Sequence, residues 1–465
     1  MTASLRVIDA FRRSGRNALR VLGASGQLGY GVPTPAFQAG LAREPDIIGC
    51  DMGSIDIGPY YLGAGRMATA PAATRRDLRK VILAARQHDI PLVIGSAGSA
   101  GARPHLDATL AMVRDIARED GLHFRLGVLR ADMPRDLLRK AVHAGEVHGI
   151  DGMPALMLEE VDAASEIVGQ MGSSAFQRGL AAGVDVLIAG RACDTGIFAS
   201  LPMMLGLPAG LAMHMAKIVE CASICCVPGG RDSILATLDA SGFELESMAL
   251  QRRATPVSVA AHSLYEQSDP YTVQEPEGRL DLRQARYEAI DDRRTRVSGA
   301  VWVEADTHYI KLEGARRMGE RAVLLCAAAD PRFIARREEN LREVAKVVED
   351  LVCEDTPKDY DLRWRIYGTG GTSLNGVPTA AVPGEIFIMA ECLAPTAERA
   401  AEVARTTKQY LLHHGFPGRL STGGNLAFPF TPPEVSIGTA YRFNIYHLMR
   451  VHNLDALFPL EVETL

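Results

Sequence analysis

The first two-thirds of the chain alternates short apolar segments with longer amphipathic ones. The amphipathic segments, such as Thr74–His88 and Arg135–Ala144, place apolar residues at helical spacing. The apolar segments have the length of buried strands: Ala18–Leu22, Asp46–Cys50, Pro91–Ile94, Phe124–Leu129 and Val184–Ala189. Strands separated by helices are joined by crossovers into a parallel sheet. The pattern therefore predicts an α/β fold, with a mostly parallel N-terminal sheet and flanking helices.

The pattern changes after Ser268–Gln284, a polar stretch with two prolines that is typical of a long connection. We therefore predict two domains, residues 1–284 and residues 285–465. From Ala322 onward the predicted elements are ordered β-α-β-β-α-β, which is the order of the ferredoxin-like motif. They are Ala322–Ala327, Ile334–Val352, Arg363–Tyr367, Glu385–Cys392, Pro395–His413 and Tyr441–Tyr446. The smaller C-terminal domain is thus predicted to be α+β and ferredoxin-like.

Composition narrows the class of protein. The 465 residues carry a net charge of −6, with 47% hydrophobic and 23% charged residues. These values are typical of globular proteins and argue against nucleic-acid binding. No apolar segment has the length needed to cross a bilayer, and the N-terminus lacks a signal-peptide pattern. The eight cysteines have no regular spacing, as in reduced cytoplasmic proteins. We expect a cytoplasmic homo-oligomer with no nucleic-acid or membrane partner.

A glycine-rich loop follows the first predicted strand. It has the sequence GASGQLGYG over residues 23–31 and contains Gly26 and Gly29. Glycines at such a position let backbone N–H groups point at an anion, so the loop is a candidate substrate-binding element. The GxxGxxG spacing differs from the GxGxxG fingerprint of nicotinamide dinucleotide sites. A tight turn without a ligand is the alternative.

A second polar loop, Asp51–Gly58, follows the second predicted strand. It carries Asp51 and Asp56 as candidate proton-transfer groups and Ser54 as a candidate substrate contact. Two carboxylates in such a loop are also compatible with a divalent metal ion. Alternatively, each aspartate caps a turn.

A third loop of small residues, Gly95–Gly101, follows the third predicted strand and contains Ser96 and Gly98. Because parallel strands end at one edge of a sheet, this loop and the two before it are predicted to share one ligand cleft. We take Ser96 and Gly98 as candidate substrate contacts.

The most apolar predicted strand ends at Ala189 and is followed by Arg191 and Asp194. The planar guanidinium of Arg191 suits a carboxylate or phosphate, and Asp194 is a candidate partner or acid. A purely structural Arg–Asp pair fits the same pattern.

A predicted helix with the sequence HMAKIVEC places His214 and Lys217 on one stripe among apolar residues. Buried ionisable groups require partners or have shifted pKa values, so Lys217 is a candidate catalytic residue and His214 a candidate substrate contact. The alternative is a polar edge on a buried helix.

His262 and Glu266 are four residues apart and would be neighbours on a helix. Such a pair can share a proton or help to bind a metal ion. With a single histidine this is no zinc-protease signature, and we take the two residues as a candidate acid/base pair.

These segments together resemble the acyclic terpene utilization A family over nearly the whole chain. The resemblance is carried by GASGQLGYG, by AGRACDTGIFA at 189–199 and by HMAKIVEC at 214–221. SVAAHSLYEQSDP at 258–270 and PGRLSTGGNLAFPF at 417–430 add to it, whereas the DMGSIDIGPYYLG segment departs from the family pattern. The end of the chain resembles a small ferredoxin-like partner domain that is often fused to this family. The chain is thus identified as a divergent member.

The resemblance implies a role in the catabolism of branched terpenols such as geraniol and citronellol. The step proposed for that pathway cleaves acetate from a branched 3-hydroxyglutaryl-CoA. We therefore expect a lyase that acts on a small anionic substrate, a branched hydroxyacid or its CoA thioester, by proton abstraction with C–C or C–O cleavage. A divalent metal is a compatible cofactor. The alternatives are a non-catalytic scaffold subunit and an NAD-dependent oxidoreductase.

Overall fold

The fold is described from a computed structural model for residues 1–265, 269–369, 383–420 and 425–465. Glu266 lies outside these ranges. The chain divides into two compact units, residues 1–316 with 443–465, and residues 317–442. The sequence places a boundary at residue 284, whereas the larger unit continues through strands up to residue 316. It does so because the charged segment 286–298 forms strands that extend the N-terminal sheet.

Most α-helices of the described residues lie in the first unit, and three lie in the second. They are α1 (Ala3–Ser14), α2 (Thr34–Leu41), α3 (Pro59–Ala64), α4 (Pro71–His88), α5 (Arg103–Glu119), α6 (Arg135–His143), α7 (Leu158–Ala163), α8 (Ser173–Ala181), α9 (Asp194–Met204), α10 (Ala209–Val219), α11 (Pro256–Ser263), α12 (Pro331–Ala335), α13 (Arg337–Val352) and α14 (Ala397–His413).

The first strand begins at residue 18. They are β1 (Ala18–Gly23), β2 (Ile47–Asp51), β3 (Leu92–Gly95), β4 (Arg125–Leu129), β5 (Val147–Gly149), β6 (Ala164–Gly169), β7 (Val186–Ala189), β8 (Ile234–Asp239), β9 (Phe243–Ser247), β10 (Thr272–Glu275), β11 (Gly278–Asp281), β12 (Arg286–Ala289), β13 (Arg294–Ser298), β14 (Val301–Glu304), β15 (His308–Ala328), β16 (Asp361–Tyr367), β17 (Ile386–Ala394), β18 (Glu434–Val451) and β19 (Leu460–Thr464).

The main sheet of the first unit is mixed. Its strand order is β12-β13-β9-β8-β1-β2-β3-β7-β4-β19. The run from β1 to β4 is parallel, as predicted, and the strands on either side of it are antiparallel. Strands β2, β3 and β7 consist entirely of buried residues because helices cover both faces of the sheet. The predicted α/β class is confirmed.

The predicted connection over residues 268–284 contains a β-hairpin instead. Strands β10 and β11 pair with each other, and β11 pairs with β14. Val273 and Leu280 are buried while Gln274 and Arg279 are exposed, which is the alternation of a half-buried strand. Only four residues of each strand carry that alternation, and two prolines flank it, so the sequence pattern favoured a loop.

Strand β15 is longer than predicted. The sequence indicated two short strands, 308–312 and 322–327, separated by a polar glycine-containing stretch. In the structure the strand is continuous, because residues 312–316 pair with β6 and residues 320–328 pair with β17. Tertiary pairing thus overrides the weak strand preference of the middle residues.

In the second unit, α13 and α14 cover strands whose apolar faces form one core. Leu324, Ile388, Val344 and Val403 belong to that core. The order β15-α13-β16-β17-α14-β18 follows the predicted order along the chain. The ferredoxin-like assignment of this unit stays a prediction. Among the residues described here, no helix combines the length and apolarity that crossing a bilayer requires.

Candidate functional site

The loops after β2, β3 and β7 meet at the carboxyl edge of the parallel strands, and their glycines allow the close approach. A Cβ atom on Gly53 would lie 2.2 Å from the Ser99 Cα. One on Gly101, whose φ is +68°, would lie 2.1 Å from the Arg191 backbone nitrogen. The structure therefore brings these loops together, and they pack against each other.

The first glycine-rich loop uses its amides within the protein. The backbone N–H groups of Gly29 and Gly31 donate to the Asp77 Oδ2 at 2.9 and 2.8 Å. Asp77 lies on α4 and is fully buried. Gly26 lies against the Cys221 carbonyl, which a Cβ atom would approach to 3.2 Å. The anion that this loop holds is thus a carboxylate of the protein itself.

Arg191 lies behind the strand ends in a network of buried polar groups. Its Nε donates to the Glu313 Oε2 at 2.8 Å, and its Nη1 donates to the Ser96 Oγ at 3.3 Å. Glu313, on β15, also accepts from Gln170 at 3.2 Å and pairs with Lys311 at 3.3 Å. A fully buried carboxylate is thereby held by two cations. Arg191 and Ser96 are brought together in this network.

Asp51 and Asp194 form a second part of the buried cluster. Asp51 ends β2 and Asp194 begins α9, and the two carboxyl groups interact with each other. Burial raises the pKa of Asp51, and the Asp194 charge adds to the effect. Burial likewise raises the pKa of Asp194, opposed by Arg191. The Oδ1 atom of each residue is buried and has no hydrogen-bond partner among the described residues. Like-charged carboxyls in this position favour retaining a proton.

Lys217 projects from α10 into the same cluster. Its Nζ donates to the Glu220 Oε1 at 2.8 Å and lies 5.3 Å from the centre of the Tyr265 ring. Burial raises the pKa of Glu220 to about 8 despite this ion pair. The Lys217 charge also acts on Asp194 and on Glu275, so the ammonium links the carboxylates of the cluster.

Glu275, at the end of β10, is the carboxylate that connects this cluster to open space. Thr195 donates its hydroxyl to the Glu275 Oε1 at 2.6 Å. The Oε2 is buried and has no hydrogen-bond partner among the described residues. Burial raises the pKa of Glu275 to about 7, with a further contribution from Glu277. Such a carboxyl can take up or release a proton at neutral pH.

A cavity of about 510 Å³ opens beside Glu275. Its polar lining includes Gln170, Cys193, Arg279 and Lys311, and its apolar lining includes Val303, Tyr309 and Leu448. The Lys311 Nζ lies 4.3 Å from the centre of the Tyr446 ring. Burial lowers the pKa of Lys311, but Glu313 and Tyr446 together more than offset this, and the net shift is upward. The cavity therefore combines cationic groups, a titratable carboxyl and an apolar wall.

Cys193, on the wall of this cavity, is the N-cap residue of α9. Its Sγ lies 3.8 Å from the Gln170 Oε1, and its side chain interacts with Glu275. Burial raises the pKa of this thiol, and the charges of Glu275 and Glu277 raise it further. The thiol form therefore predominates at neutral pH, so Cys193 is a polar lining group rather than a ready nucleophile.

Some predicted site residues lie elsewhere. His214 is fully buried beside Phe243, and its Nε2 contacts the Ser263 hydroxyl at 3.1 Å and the Tyr287 hydroxyl at 3.3 Å. Burial lowers the pKa of His214 to about 3, so the ring is neutral. This placement matches the structural alternative of a buried polar helix edge.

His262 lies on α11, near Lys217 and stacked on Tyr265 with ring centroids 4.7 Å apart. Burial lowers its pKa to about 4, and the Lys217 charge lowers it further. Its predicted partner Glu266 lies outside the described residues. His262 therefore borders the buried cluster as a neutral ring.

The polar loop after β2 is divided between the buried cluster and the surface. Asp51 is buried, whereas Asp56 is exposed and donates its backbone N–H to the Ser54 Oγ at 3.0 Å. Gly98 packs against the carbonyl of His105, which a Cβ atom would approach to 2.7 Å. Ser54 and Gly98 thus contribute here to turn geometry and close packing.

Several residues of the site were not predicted from the sequence, among them Glu275, Lys311 and Glu313. Glu275 falls in the segment interpreted as a connection. Lys311 falls in a predicted short strand, 308–312, of a separate domain, and Glu313 directly follows that strand. Glu313 could have been noticed, because it stands in the run Leu312-Glu313-Gly314-Ala315, which is apolar apart from the glutamate. Nothing in the local pattern connects these positions to Arg191, and Glu313 is 122 residues away from it along the chain.

In the part of the chain that the structure describes, no three His, Cys, Asp or Glu side chains converge as a metal site requires. The paired carboxylates Asp51 and Asp194 are accompanied by Arg191 and Lys217. A divalent metal stays an untested expectation.

The sequence model of the acyclic terpene utilisation family protein AtuA matches residues 20–226 and 250–431 of this chain. The match covers most of both compact units and every residue of the buried cluster named above. No curated protein and no solved structure gave a significant match. The chain therefore belongs to the AtuA family.

Proposed function

We propose that this AtuA-family protein is a lyase for a small branched hydroxyacid or its CoA thioester, and that Glu275 transfers the proton. The observation that carries the proposal is the Glu275 carboxyl on the cavity wall. Its Oε2 is buried without a partner among the described residues, and burial raises its pKa to about 7. General acid–base catalysts work best when their pKa lies near the working pH.

The cations of the cavity support an anionic substrate. Lys311 lies in the wall and Arg279 is an exposed lining residue with no ion-pair partner among the residues described. A carboxylate or an enolate oxygen near Lys311 would have its negative charge stabilised in a partly desolvated environment. The apolar residues Val303, Tyr309 and Leu448 would then contact the branched hydrocarbon part.

The chemistry needs one group that takes up a proton and releases it again, and no further reactant. For C–C cleavage, Glu275 removes the hydroxyl proton of a 3-hydroxyacyl group, and the oxygen electrons form a carbonyl. The bond between carbons 2 and 3 breaks, its electron pair forms an enolate near Lys311, and Glu275 returns the proton to carbon 2. For C–O cleavage, Glu275 removes the proton of carbon 2, and the electron pair of that C–H bond forms a double bond between carbons 2 and 3. The bond from carbon 3 to the hydroxyl breaks, and the hydroxyl leaves with the proton as water.

The buried cluster behind the cavity would support this step. Thr195 fixes the Glu275 carboxyl, and the Lys217 charge lowers its pKa against the opposing effect of burial. Asp51 and Asp194 hold raised pKa values and would keep the region from carrying excess negative charge. In this proposal they set the electrostatic environment, while Glu275 contacts the substrate.

The proposal is tested by incubating the protein with branched 3-hydroxyacids and their CoA thioesters and following the products by mass spectrometry. We expect Glu275→Gln to reduce turnover by about 10²–10⁴-fold. Glu288→Gln, a change of the same kind on the exposed strand β12, should have no effect. Wild-type turnover with undiminished activity of Glu275→Gln would overturn the assignment of the proton-transfer group. Absence of turnover with every compound would favour the scaffold alternative.

A further inference from the structure

A second cavity, of about 460 Å³, lies in the first unit between α6 and the segment 449–457. It shares no lining residue with the cavity beside Glu275. Its apolar lining consists of Leu137, Ala141, Ala144, Met449, Val451 and Leu457. Met449, Val451 and Leu457 are at least nine-tenths buried and form a floor that belongs to the main core.

Small side chains keep this cavity open. Ala141, Ala144 and Ala456 border it, and their short side chains leave space between α6 and the loop after β18. The cavity is therefore open to the surface, and its floor consists of apolar side chains that are almost fully buried. An apolar concavity of this size is typical of small-molecule sites.

The rim of the cavity is cationic. Lys140 and Arg450 both line it and are exposed, and neither has an ion-pair partner among the described residues. The rim carboxylate Glu146 is already engaged, since the His452 Nε2 lies 2.7 Å from its Oε1. The rim thus carries two cations, Lys140 and Arg450, and one carboxylate, Glu146, above an apolar floor.

We propose that this cavity binds a medium-chain carboxylate, with the hydrocarbon chain on the Met449–Val451–Leu457 floor and the carboxylate between Lys140 and Arg450. An apolar floor excludes a small inorganic anion as the preferred ligand, and the paired cations favour an anionic head over a neutral one. Each additional methylene group in contact with the floor should strengthen binding about three- to fourfold. The ligand is thus an amphipathic acid, and the site is separate from the proposed catalytic cavity.

Isothermal titration calorimetry with decanoate, octanoate and decanol tests the proposal on the full-length protein. Decanoate should bind about tenfold more tightly than octanoate, as expected for two methylene groups. Decanol should bind at least tenfold more weakly than decanoate, because it lacks the charge that the rim recognises. Equal binding of decanoate and decanol, or no binding of decanoate, would overturn the proposal.

Variants locate the binding. Ala456→Trp would occupy the cavity from an exposed position, and Lys140→Glu with Arg450→Glu would reverse the rim charge. Each should weaken decanoate binding by at least tenfold. A matched pair of charge reversals at exposed positions elsewhere, Arg12→Glu with Lys346→Glu, should leave it unchanged. Lys311→Met should also leave it unchanged, and loss of binding in that variant alone would assign decanoate to the other cavity and overturn the proposal.

Discussion

The glycine-rich loop at residues 23–31 and the cavity wall that contains Glu275 differ in whether their polar groups have hydrogen-bond partners. In the loop, the N–H groups of Gly29 and Gly31 are bound by the buried Asp77. In the wall, the Glu275 Oε2 is buried without a partner among the described residues, and its carboxyl has a pKa of about 7. The loop amides thus have a hydrogen-bond acceptor within the protein. The Glu275 Oε2, next to an open cavity, has no hydrogen-bond donor among the described residues. The glycine-rich loop is therefore an element of packing, whereas the carboxyl with the raised pKa lies at the end of a strand, β10.

The largest expected effect concerns glycines that permit close packing. Gly101→Ala combines an unfavourable positive φ with a clash against Arg191, whereas Gly121 has a similar φ of +61° and nothing within 4 Å of the position that a Cβ atom would take. We expect Gly121→Ala to cost about 1 kcal/mol of unfolding free energy and Gly101→Ala about 2–4 kcal/mol, because overpacking adds to the strain. Urea denaturation measures both. Equal losses would mean that the loops are not in tight contact.

The next effect concerns how the ionisation of Glu275 changes the free energy of unfolding with pH. The pKa of Glu275 is raised from 4.5 to about 7, so ionising it in the folded state is unfavourable. The wild type should therefore lose more stability than Glu275→Gln as pH rises through this window, because the raised pKa values of Glu220, Asp51 and Asp194 affect both proteins alike. The variant should become the more stable protein by about 2–3 kcal/mol above pH 7, since one pKa unit corresponds to about 1.4 kcal/mol. Unfolding free energies measured at pH 5 and pH 8 check the difference. A constant gap between the two proteins would contradict the raised pKa.

The smallest effect is expected at Asp77. Asp77→Ala removes the acceptor of both loop amides and should cost about 2 kcal/mol of unfolding free energy. Asp77→Asn keeps one acceptor oxygen and should cost less than half as much. Anion binding in the Glu275 cavity, followed by calorimetry, should stay unchanged in both variants. Weaker binding would show that the loop takes part in the ligand site after all.

The parallel strands and their helices were predictable, because the spacing of apolar residues and the length of apolar segments depend directly on which residues are buried. The strand that ends at Asp51 and the one that precedes Arg191 were both predicted from the sequence, and the structure brings these two side chains to one edge of the sheet. The α/β class followed from the same signals. Such signals are local, and each depends on a few neighbouring residues.

The rest of the site depends on long-range pairing. Glu275 reaches the cluster because the four-residue strands β10 and β11 form a hairpin. Glu313 reaches it because β15 pairs with β6. Both the hairpin and the β15–β6 pairing depend on tertiary contacts. A short, polar or glycine-containing segment shows no clear strand pattern from which they could be predicted. The sequence also could not show that Asp77, on a helix far along the chain, occupies the amides of the first loop.

Infrared difference spectroscopy between the wild type and Glu275→Gln tests most directly whether Glu275 titrates near neutral pH. It measures the ionisation of this single carboxyl between about pH 5 and pH 9 without requiring a known substrate. We expect a protonated carboxyl band that disappears with a midpoint near pH 7 in the wild type and is absent from the variant. A Glu275 carboxylate that is already ionised at pH 5 would contradict the role proposed for this residue.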